Sequence, residues 1–161
     1  MIDRFNQMPE SEATRKLYSC FASMKWAERV ASWRPYRDFE GLLAACDTAW
    51  SELARPDWLA AFTAHPRIGE SGGHAPESSK REQAGFGAAP TATMAAVAEE
   101  NRRYEAHFGH VFLISASGRT ADEILAELRR RMQNDPATEV AVAAAEHRKI
   151  TRIRLERMLS E

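Results

Sequence analysis

Thiols, net charge and long apolar runs are all scarce in this chain of 161 residues, and each scarcity removes a class of function. Its two cysteines, Cys20 and Cys46, stand far apart and outside any CxxC or mixed Cys/His spacing. They build neither a thiolate zinc site nor a redox dithiol and read as buried thiols. Lys and Arg total 22 against 23 Asp and Glu, a net charge of -1, which gives no global field to gather nucleic acid or an anionic membrane. No apolar run is long enough to cross a bilayer, and the opening "MIDRFNQMPESEATRK" lacks the apolar core of a signal peptide. The closing "ERMLSE" carries neither a prenylation box nor a peroxisomal address. The expectation is a cytoplasmic protein with no nucleic-acid and no membrane partner. Internal repeats, low-complexity tracts and dividing linkers are missing as well.

What is present is an ordinary globular composition, 44% hydrophobic and 28% charged, in a chain of a size that suits one domain over residues 1–161. Helical periodicity runs through nearly all of it. Pro9 with Glu10 and Glu12 opens a helix to Phe21 that puts Leu17, Cys20 and Phe21 on one side. A shorter helix from Lys25 to Trp33 ends where Pro35 biases Arg34 away from helical geometry. Asp38 caps "FEGLLAACDTAWSELA", whose apolar residues recur at helical spacing, and Pro56 starts "PDWLAAFTAH". A short helix is expected over residues 79–84 and a long one in "PTATMAAVAEENRRYEAHFG", terminated by Gly109. Thr120 with Glu123 forms a capping box for the next helix, and Asp135-Pro136 opens the last. "HVFLIS" is the one strand-like run, and a single run builds no sheet. The predicted fold is therefore all-α: a single compact multi-helix domain with one extended apolar connector near residues 110–116. The tryptophans Trp26, Trp33, Trp50 and Trp58 fall on helical faces with other apolar residues and are expected in the core.

Candidate chemistry gathers around the longest loop. In "AHPRIGE", residues 64–70, Pro66 has no amide hydrogen and pushes His65 toward an extended conformation, so the helix stops and an imidazole is held at its lip. The plainer alternative is a helix-end histidine favoured by the dipole. Then follow "PRIGESGGHAPESS", dense in Gly, Pro and Ser, and "SSKREQAG", where Ser79 and Glu82 have capping-box spacing and Gln83 adjoins them.

Together, "HPRIGE" followed by Ser79-x-x-Glu82-Gln83-Ala84-Gly85 resembles the 2-oxo-4-hydroxy-4-carboxy-5-ureidoimidazoline (OHCU) decarboxylase family of the urate to allantoin route. The resemblance continues through "FLISASGRTADEILAELRRRMQNDPATEVAVAAAEHRKITRIRLERML" and covers nearly the whole chain, which makes residues 1–161 an OHCU decarboxylase-like domain. It implies an all-helical homodimer that converts OHCU to (S)-allantoin without a cofactor or metal, fed by a uricase and a 5-hydroxyisourate hydrolase. Carried over, the catalytic histidine falls on His65 and the family's Ser, Glu and Gln on Ser79, Glu82 and Gln83. Glu82 joins His65 as catalytic, and Pro66 is counted with the substrate-binding residues. The arginine of the last helix falls on Arg154, with Arg152, Arg157 and Arg129 to Arg131 as rivals. Backbone contacts to substrate fall near Phe112 and Ile114. His74 is assigned no role.

Two other classes compete. A metal hydrolase would draw on His65, His74, His107 and His110 with Glu105, yet their spacing matches no signature such as HExxH. The decarboxylase reading predicts no stoichiometric metal. A helical binding module would use "LRRRMQ" and "RKITRIRLER" to grip phosphate, but Glu127, Glu139, Glu146 and Glu156 interleave with those arginines, which then read as solvated faces laced with ion pairs.

Overall fold

The structure, a computed structural model, describes residues 1–68 and 89–161. Among the described residues the regular elements are eight helices: α1 (Ile2–Gln7), α2 (Glu10–Cys20), α3 (Met24–Ser32), α4 (Phe39–Ser51), α5 (Arg55–Phe62), α6 (Thr91–Phe108), α7 (Ala121–Arg131) and α8 (Pro136–Ser160). The all-α reading holds, and none of these helices is long and apolar enough to cross a membrane.

Their ends follow local chemistry. Ser23 Oγ accepts the Trp26 amide at 3.3 Å, and Asp38 Oδ1 accepts the Gly41 amide at 2.8 Å. Thr120 and Glu123 exchange side-chain and backbone bonds at 3.2 and 3.3 Å, a complete capping box. Pro9 is the N-cap of α2 rather than its first residue, so the helix starts one position later than expected. At the end of α6 the chain turns at φ 79° on Gly109, whose amide donates to Glu105 O at 2.8 Å. The expected helix over residues 79–84 lies outside the described residues. Helix α1 was not anticipated from sequence, and the reason is visible in its partners. No side chain caps it. Instead Phe5 is buried, Asn6 trades hydrogen bonds with the Tyr36 backbone at 2.7 and 2.8 Å, and Arg34 Nη1 donates to the carbonyls of Phe5 and Met8 at 2.7 and 2.8 Å.

The described chain gathers into two compact units, the first comprising Met1–Ala61 with Thr151–Glu161 and the second Phe62–Ile150. In the first, α2 packs on α3 and α3 on α4. Leu17, Phe21, Trp26, Val30 and Leu42 are wholly shielded there, and each such Leu or Phe contributes about 1.5–3 kcal/mol. Trp26 Nε1 spends its proton on Cys46 O at 3.1 Å. Cys20 and Cys46 are buried free thiols, as expected, and burial pushes Cys20 up to about 11 and Cys46 higher still. The tryptophans divide: Trp26 and Trp50 are buried, but Trp33 and Trp58 are only half-buried. Trp33 lies under the Arg29 guanidinium at 4.8 Å, and Trp58 stacks on Trp50 at 5.9 Å.

In the second unit α6 packs on α7 around Ile68, Val97, Tyr104, Phe112, Ile114, Ile124 and Leu128. The apolar run lies here as an irregular connector: residues 111–116 form neither helix nor strand, and Phe112, Leu113 and Ile114 are buried. Its buried backbone needs partners, and Arg131 Nη1 supplies one by donating to Leu113 O at 2.6 Å.

Candidate functional site

The candidate site starts at the end of α5. Two turn residues follow Phe62, the His65 amide closes on Phe62 O at 3.1 Å, and Pro66 prevents any return to helix. His65 thus stands beyond α5 rather than in its last turn. The segment is tied down on both sides. Phe62 is fully buried, Arg67 grips the Glu105 carboxylate at 2.6 and 3.1 Å, and the Ile68 carbonyl accepts from Asn101 Nδ2 at 3.2 Å.

The half-buried His65 ring meets a residue that sequence reasoning did not single out. Its Nε2 lies 2.6 Å from Nε2 of His147 on α8, with the rings crossing at 83° and their centroids 4.4 Å apart. His147 is fully shielded, and Phe62 packs edge-on against it at 5.4 Å. A signal for its burial exists in the sequence. Val140, Ala143, Ala144, His147 and Ile150 follow a helical stripe, so His147 falls on the buried apolar face of α8.

Beside the connector lies a closed charge cluster. Arg131 and Glu139 are both fully buried, which corrects the reading of these two residues as part of solvated faces. Nε and Nη2 of Arg131 reach Glu139 Oε1 at 2.7 and 2.5 Å. Tyr104 donates its hydroxyl proton to the same oxygen at 2.6 Å, and Asn134 Nδ2 donates to Oε2 at 3.0 Å. The guanidinium covers the Phe112 ring at 4.4 Å. Burial, reinforced by the bond to Glu139, holds the Tyr104 hydroxyl well above its ordinary pKa, so it stays a donor. This cluster braces α6, α7, the connector and the start of α8 together.

Ser79, Glu82 and Gln83, together with His74 and Gly85, lie outside the described residues. His65 and Pro66 adjoin in the turn, while the Phe112 and Ile114 side chains point into the core, leaving only backbone for a ligand to meet. Arg154 is half-buried on the part of α8 that belongs to the first unit. Among its rivals, Arg131 is closed off by Glu139, Arg152 pairs with Glu156 at 3.2 Å, and Arg157 is half-buried. His107 is exposed, Glu105 is held by Arg67, and His110 packs against Phe62 at 5.8 Å and Tyr104 at 5.5 Å. Among the described residues no group of three or more His, Cys, Asp or Glu is arranged to hold a metal ion.

Residues 6–156 match the family model described as OHCU decarboxylase. The chain is 32% identical over 148 residues to the uric acid degradation bifunctional protein TTL of Arabidopsis thaliana, covering 88% of this chain and 46% of that protein. It is 29% identical over 162 residues to the uric acid degradation bifunctional protein PucL of Bacillus subtilis (strain 168), covering 99% of this chain and 33% of that one. The chain therefore spans less than half the length of these curated relatives. Among solved structures it is similar to an OHCU decarboxylase crystallised in the presence of (S)-allantoin, with TM-score 0.79 and 31% identity over 91% of this chain and 98% of that one. It shares the fold of an (S)-allantoin synthase at TM-score 0.76 and 20% identity, covering 99% of this chain and 53% of the other.

Proposed function

Since the chain belongs to the OHCU decarboxylase family, we propose that it decarboxylates 2-oxo-4-hydroxy-4-carboxy-5-ureidoimidazoline to (S)-allantoin in urate degradation. The observation that carries this reading is the family match over residues 6–156. The likeness to an OHCU decarboxylase crystallised with (S)-allantoin supports it.

The substrate's own chemistry makes a cofactor unnecessary. Its carboxylate and hydroxyl share one ring carbon, next to a carbon doubly bonded to nitrogen. As the bond to carbon dioxide breaks, its electron pair forms a carbon–carbon double bond and the C=N pair moves onto nitrogen, which takes a proton. The resulting enaminol loses its hydroxyl proton and gains one on the neighbouring carbon, so one proton is consumed overall. The protein supplies placement, proton transfer and a choice of face.

In this reading His65 moves protons, as histidine is the side chain whose ordinary pKa lies closest to neutral pH. Glu82 orients it or takes the hydroxyl proton. Arg154 anchors a carboxylate or carbonyl through its planar fork. Ser79 and Gln83 discriminate ring edges, Pro66 holds the turn, and the backbone at Phe112 and Ile114 meets the ligand. The pinned turn around His65 supports its role. We propose further that residues 1–161 act as one functional domain, in a cytoplasmic homodimer beside a uricase and a 5-hydroxyisourate hydrolase. That the matched region is 46% and 33% of longer proteins named bifunctional supports a place next to another urate-degrading activity.

The test generates substrate in place from urate with a uricase and a 5-hydroxyisourate hydrolase and follows circular dichroism. Wild-type protein is expected to give optically active allantoin rapidly, and His65→Ala to give a slow, optically inactive trace. A wild-type trace equal to the no-protein control refutes the activity.

A further inference from the structure

Resting on the reading of His65 as the group that moves protons, we propose that His147 is its positioning residue. The two imidazoles share one proton between their Nε2 atoms, which fixes the tautomer and plane of His65. Three observations carry this. The Nε2 to Nε2 separation is 2.6 Å, a hydrogen-bond distance that two N–H groups facing each other cannot sustain. His147 is fully shielded on a long helix, so its ring has a defined place to offer. Phe62, also fully buried, packs against His147 and stands in the same turn as His65, where its carbonyl accepts the His65 amide.

The contact imposes a rule on the pair. A neutral imidazole has one donor and one acceptor nitrogen. If Nε2 of His65 donates, His147 is the Nδ1-H tautomer, and if Nε2 of His147 donates, His65 is. One added proton leaves a single charge-assisted N–H···N bond, whereas a second sets two N–H groups of two like charges against each other. The pair therefore works between no charge and one, the range a proton shuttle needs. Among the described residues, three neighbouring charged or titratable groups are placed as follows. Glu146, next in sequence, is held by Lys149 at 2.5 Å and Arg119 at 3.5 Å. Arg148 is exposed, and His110 lies across the Phe62 ring, 5.8 Å from its centroid.

Nitrogen NMR on full-length protein labelled with ¹⁵N-histidine tests the pairing without substrate. A scalar coupling through the hydrogen bond between the two Nε2 atoms is expected. In the coupled assay, His147→Leu is expected to lower kcat on the order of 10-fold or more, part of what general acid–base catalysis supplies, with KM little changed. His147→Gln, which keeps a donor and an acceptor, should recover most of the rate. If His147→Leu does not fold, the wild-type coupling and the rate of His147→Gln decide. Absence of coupling with two independently titrating rings, or a folded His147→Leu with wild-type kcat, overturns the proposal. Wild-type protein that decarboxylates without coupling sinks the pairing alone. Coupling without decarboxylation sinks the functional reading and, with it, the catalytic purpose of the pair.

Discussion

Replacing Arg131 by methionine strands a carboxylate that has no water to turn to. Glu139 is fully buried, and in the native protein its oxygens are met by Arg131 at 2.5 and 2.7 Å, Tyr104 at 2.6 Å and Asn134 at 3.0 Å. Losing the guanidinium leaves two neutral donors to hold a full charge, and it also orphans the Leu113 carbonyl. Breaking a buried ion pair on one side costs about 3–5 kcal/mol, a large fraction of the roughly 5–15 kcal/mol that keeps a domain folded. At about 2–4 °C per kcal/mol for a chain of this size, the melting temperature should fall by roughly 6–20 °C. Urea unfolding followed by tryptophan fluorescence should show the midpoint fall. The double variant Arg131→Met/Glu139→Leu removes both charges and should regain much of the loss, since packed apolar groups often replace a buried pair at little cost. Amide exchange should quicken in residues 111–116 of the single variant, because the side chain that holds the connector is gone. A loss under about 1 kcal/mol for Arg131→Met, or a double variant no better than the single, would refute the argument that buried pairing holds this region.

Other consequences are simpler to check. Cys20, pushed up to about 11 by burial, and Cys46, pushed further in the same direction, should both resist a disulfide reagent near pH 8 in the native protein and react fully in urea. Because the unfolded thiols release protons that the folded ones keep, stability should fall as pH rises above about 9; a flat profile there contradicts the burial account. Thr120→Ala opens the capping box of α7 and should cost about 1 kcal/mol in urea unfolding, with Thr120→Ser restoring most of it.

The parts of this protein that were legible in sequence are those whose causes lie within one helical turn. Ser-, Asp- and Thr-type caps bond to amides three residues on, Gly109 supplies the left-handed turn that ends α6, and the stripe of apolar residues marks which face each helix buries. The irregular connector was legible for the same reason: one short apolar run with no second run to pair with. Pro66 told of a held histidine because its ring constrains the residue just before it. Helix α1 escaped because its partners stand 26 to 30 positions away. Arg131 and Glu139 read as surface charges because nothing local distinguishes a paired buried charge from a solvated one.

What the sequence by itself determined is the all-helical class, most helix boundaries, the family and a histidine pinned by proline. Tertiary structure alone decided which charges are buried and which side chain His65 meets, since those contacts join groups 8, 18, 35 and 82 positions apart. Local pattern sets the shape of each helix, whereas the distance between two rings depends on how the chain folds back, and no spacing in a one-dimensional sequence encodes it directly.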